Sequence, residues 1–289
     1  MSEINRAEAP AISAIETVSL PAIEYITLDN GIKVYAIPSD NCDVVKFELV
    51  FKAGKWFEEK NLVADFTSRM LREGTTSKSG KALADFFDFY GSNFNTSAGA
   101  EVASMSIYCL SKHLQQQLPT MFEVLTESIF PENELHTIIS NRKQRLAVEL
   151  EKNDFLSNRQ FVQAVWGAQH PFGRVTQMQD FDALSCSDLK NFSTQFYNAS
   201  NCFMMLAGNY SQAMLEDINR IFGQNNWKGT PAQEKTYKIE SSAQKTIHLE
   251  KAESVQSAIQ VGNISLHKKH PDFIRFMVAN TIFGGYFGS

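Results

Sequence analysis

Residues 62–75 read "LVADFTSRMLREGT", and within them Asp65, Ser68 and Arg69 stand at i, i+3 and i+4. Leu62, Phe66 and Met70 recur at i, i+4 and i+8 and Gly74 follows, so the stretch predicts an amphipathic helix that turns those three polar residues away from its apolar side. The spacing is that of His-x-x-Glu-His. In that motif two imidazoles one helical turn apart hold zinc and a carboxylate serves as general base. None of the three residue types is the right one here. The pattern asks whether a metal-handling helix has kept its spacing and lost its chemistry.

Other chemistry-bearing residues give weaker signals. His267 and His270 have i, i+3 spacing, but they precede Pro271, which favours a helix start and leaves the pair in a loop. His136 has Glu132 and Glu134 nearby. Those acids suit a helix first turn, where the dipole is positive, better than a metal site. His113 and His170 stand without catalytic company. "FGGYFGS" at the end of the chain lacks the Gly-Lys-Ser/Thr of a phosphate loop. Cys42, Cys109, Cys186 and Cys202 form no CxxC pair and read as reduced, buried thiols.

Positioning these residues requires a sizeable core, and 289 residues with 43% hydrophobic and 20% charged side chains supply one. The net charge of −5 without a basic block argues against nucleic acid or an anionic membrane as partner. No run approaches the about 18 apolar residues of a spanning helix. No basic n-region and apolar core open the sequence, so the cytoplasm is the expected location, and the periplasm follows only if a leader has been removed.

Residues 1–22 read as an extended lead-in. Strand patterns follow at 24–28, 32–37 and 43–54, with Asn30-Gly31 as a hairpin turn between the first two. Helices are expected at about 59–73 and 79–90, then two strands, "NFNTSAG" and "ASMSIYCL". A helical block spans about 112–198, with Pro131 at a first helical position and Ser187 with Asp188 as a cap. "CFMMLAG" is a buried strand and "SQAMLEDINRIFG" a closing helix. Strands precede helices in runs, which predicts an α+β two-layer sandwich with a mostly antiparallel sheet. A first domain then spans 23–225, with a polar linker at 226–241. At 242–289 the pattern restarts with strands "KTIHLE" and "SAIQVGNISL" and a helix after Pro271. Two strands and a helix cannot enclose a core, so this reads as the start of an incomplete second domain.

These segments, in this order, resemble the insulinase/pitrilysin (M16) family of zinc peptidases. "FKAGKWFEE", "MLREGT", "YGSNFNTSAG", "HPFGR", "SDLKNFSTQFYNASNCFMMLAGN" and "HPDFIRFMVANTIFGGYFGS" each have a family counterpart. The resemblance implies two similar α/β domains per half-molecule. It places the first zinc ligand at Asp65, the base at Ser68 and the second ligand at Arg69. Asp65 is a possible ligand. Arg69 is permanently cationic and cannot ligate, and Ser68 has no pKa suited to a base. The family's third ligand, a Glu on a later helix, matches Glu149 best. The family's substrate-binding Arg and Tyr would lie beyond Ser289.

The resemblance therefore implies a catalytically degenerate subunit with no catalytic or metal residues of its own. Its partner would be a zinc-bearing homologue or a second copy, its ligand a peptide, and zinc is expected only in the partner. Two alternatives remain: an active zinc peptidase with a rearranged site on Asp65 and Glu149, and a structural core subunit without peptidase role. In place of the metal, Arg69 is expected to bridge Asp65 and Glu149.

Overall fold

The computed structural model describes residue 9 and residues 12–224 and 226–285. Part of the expected lead-in, the first domain's expected last residue and the end of "FGGYFGS" lie outside the described residues. The first strands are β1 (Glu24–Thr27) and β2 (Lys33–Pro38), antiparallel across the Asn30-Gly31 turn. Gly31 adopts φ +91°, a conformation that strains any residue with a Cβ. Next come β3 (Val44–Phe51), α1 (Val63–Met70), α2 (Gly80–Phe89), β4 (Asn93–Ala98) and β5 (Ala103–Leu110). The helical block contains α3 (Leu114–Glu127), α4 (Glu132–Leu150), α5 (Asn153–Trp166), α6 (Met178–Asp182) and α7 (Cys186–Phe196). Strand β6 (Cys202–Gly208) and helix α8 (Gln212–Phe222) follow, and α9 (Phe273–Asn280) comes last.

The sheet order is β1-β2-β6-β3-β5-β4. Only β2 and β6 run parallel among the described pairs. Alternation divides its two faces. Val45, Phe47, Leu49 and Phe51 of β3, with Met105, Ile107, Met204 and Leu206, are buried in one core with Leu114, Leu118, Phe66 and Phe222. The other face is open, and Tyr25, Tyr35, Tyr108, Phe203 and Met205 are exposed on it. A groove of about 520 Å³ crosses it, lined by Tyr35, Ile37, Phe203 and Met205. The architecture is α+β, as the ordering of strands and helices predicts.

Four local expectations need correction. Residues 245–250 and 257–266 form no strand, because neither segment has a hydrogen-bonded neighbour to complete a ladder. The cap of α7 is Ser185: it and Asp188 form a reciprocal capping box, and Ser187 already lies inside the helix. Pro131 is the cap of α4 and not its first helical residue. The expected helix at 59–73 is also shorter, starting after Leu62, which has φ +73°.

Candidate functional site

Helix α1 positions Asp65, Ser68 and Arg69. It packs against α7 and against the edge strand β4. Thr67 Oγ1 donates to the Leu189 carbonyl at 3.5 Å, and Phe66 meets Phe181 edge-on. Val63, Ala64, Phe66, Thr67, Ser68 and Met70 are all buried. Asp65 and Arg69 are the two α1 positions left half-open. The motif face is thus a narrow window of two side chains on an otherwise enclosed helix.

The start of the helix is held from outside. Leu62 at the cap position supplies no side-chain acceptor. The Glu58 carboxylate does so instead, accepting the Ala64 N–H at 2.9 Å, where an anion also meets the positive end of the helix dipole. Glu58 is 4% exposed. Arg174 donates to its other oxygen. Burial pushes the Glu58 carboxyl above its ordinary value of 4.5, against the lowering by the Ala64 N–H and the Arg174 charge. The chain reaches Glu58 through Gly54, where a Cβ would come within 2.5 Å of the Ala100 carbonyl oxygen.

His170 is buried beside this pair and is part of an aromatic cluster rather than a catalytic group. Its ring stacks on Trp166 at 4.9 Å and meets Trp56 edge-on at 5.4 Å. Its Nδ1 accepts the Phe172 N–H at 3.1 Å, and burial lowers its pKa. His113, on a short 3-10 turn, lies against the Tyr90 ring. His136 lies 3.9 Å from Glu132 with both side chains largely exposed. His267 and His270 occupy the turn before α9, each accepting a backbone N–H at Nδ1.

At the motif face, Asp65 Oδ2 accepts from Arg69 Nε at 2.9 Å. The second half of the expected bridge is absent. Glu149 pairs with Arg145 at 2.9 Å on its own helix, a local i, i+4 contact that needs no reach between helices. The residue of α4 that faces Asp65 is Arg142, with Nη2 3.9 Å away. Sequence reasoning missed this residue in that role, although an Arg on the apolar row of Leu135, Ile139 and Leu146 was the available signal. Beneath the face, the buried Ser68 and Tyr197 hydroxyls lie against each other, outside strict hydrogen-bond geometry. Burial raises the Tyr197 phenol well above its ordinary range, and the Asp65 charge adds to that.

These residues do not fit zinc. Arg69 puts a fixed cation at the second ligand position, and its guanidinium engages the one carboxylate at the first. Among the described residues no group of three or more His, Cys, Asp or Glu is arranged to hold a metal ion. Asp65 and Glu149 are each engaged by an arginine of their own helix and do not form a shared donor set.

Two family models match the chain: insulinase (peptidase family M16) over residues 34–170 and the peptidase M16 inactive domain over 183–289. The chain belongs to the M16 family. An uncharacterized zinc protease of Rickettsia felis is 27% identical over 200 residues, covering 68% of this chain and 48% of that protein. The zinc protease YmxG of Bacillus subtilis is 22% identical over 272 residues, covering 92% and 65%. In structure, a Pseudomonas fluorescens peptidase M16 inactive domain superposes with a TM-score of 0.73 at 21% identity, over 92% of this chain and 65% of the other. A Helicobacter pylori protease gives 0.67 at 17% identity, over 78% and 56%. The chain thus spans about half to two thirds of the length of these relatives. No described helix is long and apolar enough to cross a membrane.

Proposed function

We propose that this chain is a non-catalytic M16 subunit that binds peptide and works beside a zinc-bearing homologue, in the cytoplasm. The observation that carries this reading is the motif window. Helix α1 keeps the family position and leaves two residues half-open, yet one of those residues is a cation tied to the other. The base position is a buried serine hydroxyl with no proton-accepting role. Two surfaces support the peptide-binding half. Strand β4 is a sheet edge whose outer backbone groups can pair with an extended chain. The open apolar face is the kind of surface that a partner or ligand covers.

The deciding experiment measures hydrolysis of an unstructured peptide by this chain alone, by a zinc-bearing M16 homologue from the same genome alone, and by the two together. Activity is expected to rise when the two are mixed and to be absent with this chain alone. Chelator-sensitive cleavage by this chain alone, with about one zinc per chain in untagged protein, would overturn the reading and favour a rearranged zinc site. Failure to associate with the homologue, together with no affinity for peptides, would leave the structural-subunit alternative.

A further inference from the structure

Three charged side chains converge on the motif window and they do not cancel. Asp65 stands between Arg69 and Arg142, so the group carries one net positive charge. The Asp65 contacts leave much of both guanidinium forks unused. Arg69 gives Asp65 its Nε, and Arg142 stays at 3.9 Å, outside hydrogen-bond distance. The Arg142 Nε is buried and has no partner among the described residues. Glu149, the other carboxylate expected here, is engaged by Arg145. The side chains of Arg69 and Arg142 are 42% and 32% exposed, so guanidinium nitrogens other than the buried Arg142 Nε are within reach of a ligand.

We propose that Arg69 and Arg142, set against Asp65, form a subsite for one carboxylate of a bound peptide. The chemistry favours a carboxylate over a phosphate. A planar pair of oxygens matches an arginine fork, and a single negative charge brings the group to neutrality. A phosphate, with a charge of about −1.5 to −2, would leave an excess beside Asp65. The position favours a peptide, because α1, which carries the window, packs against β4, the sheet edge proposed above to pair with an extended chain. The inference rests, for its natural ligand, on the peptide-binding reading above. It deepens that reading by placing a preference for acidic peptides at the former metal face.

The test titrates the full chain with N-acetyl-glutamate α-amide while the arginine Nε–Hε resonances are followed by NMR. Two resonances, assigned with Arg69→Gln and Arg142→Gln, should shift saturably. N-acetyl-glutamine α-amide should leave them in place, and Arg142→Gln should weaken binding by about 5–10-fold. N-acetyl-alanine, which offers only a chain-end carboxylate, separates the two sources: a response to it and none to the glutamate probe assigns the site to a peptide C-terminus. No shift with either carboxylate, or equal shifts with the glutamine analogue, overturns the subsite. A neutral fluorescent peptide measured in parallel keeps the two readings apart. If it binds wild type and Arg142→Gln alike while the probes fail, only the subsite falls. If it never binds while the probes do, the carboxylate site stands and the peptide-binding reading falls.

Discussion

Two ion pairs bear on α1, one at its start and one along its open face, and they differ in almost every physical respect. At the N-terminal end Glu58 is enclosed, caps the helix through the Ala64 N–H and holds Arg174 from a segment more than a hundred residues away. Further along, Asp65 and Arg69 pair within one turn of the same helix with both side chains partly in water. The first pair fixes where the helix begins and how the chain enters it. The second fixes little beyond its own two side chains. A helix anchored at its start in this way can change residues along its open face while its backbone stays in place.

The contrast can be broken by mutation. Arg174→Ala leaves a buried carboxylate without its cation and should cost about 3 kcal/mol in urea unfolding. Adding Glu58→Gln should recover part of that loss, because the uncompensated charge is removed. A loss under about 1 kcal/mol for Arg174→Ala would place the two ion pairs on equal terms.

A pH series sharpens the same point. The folded-state pKa of Glu58 is raised above its ordinary 4.5. The stability Glu58 contributes is therefore fully present below about 4.5 and is lost as pH rises through the raised value. Wild type should lose stability relative to Glu58→Gln across that window. Parallel curves for the two proteins would show that burial does not govern this carboxyl.

Smaller effects belong to the open face. Arg69→Ala should cost no more than about 0.5 kcal/mol, since Asp65 precedes Arg69 in the favourable helical order but water screens both. A loss of several kcal/mol would mean that the window is as structural as the capped end. Arg145→Ala should cost less, within about 0.3 kcal/mol, because Arg145 precedes Glu149 and that order is the weaker one. Thermal melts of both variants beside wild type would resolve the ranking.

Much of this layout was legible in local sequence. The Asn30-Gly31 hairpin, the alternation of β3 and β5 and the stop of α8 at Gly223 follow from turn chemistry and periodicity, which act over a few residues. Errors arose where the deciding partner is remote or missing. Residues 245–266 have strand-like composition, but a strand exists only with a neighbour. The cap of α7 is the exception, because Ser185-x-x-Asp188 has the capping-box spacing in the sequence itself, whereas Ser187 has Lys190 three residues on. Position in the chain suggested Glu149 as the partner of Arg69, while the orientation of α4 brings Arg142 to Asp65. The role of Glu58 depends on Arg174, and no local pattern joins them.

Strand order has a consequence for how the molecule is made. The sheet reads β1-β2-β6-β3-β5-β4, so β6 lies between two groups of strands that are synthesised much earlier. Until residue 208 has left the ribosome, β2 and β3 have no strand between them, and the sheet exists as two separate pieces with Val34, Phe47 and Leu49 lacking their β6 neighbours. The middle of this domain is the last of its sheet to arrive. Nascent chains ending anywhere in the helical block would expose two unpaired inner strand edges, the condition under which chains associate wrongly.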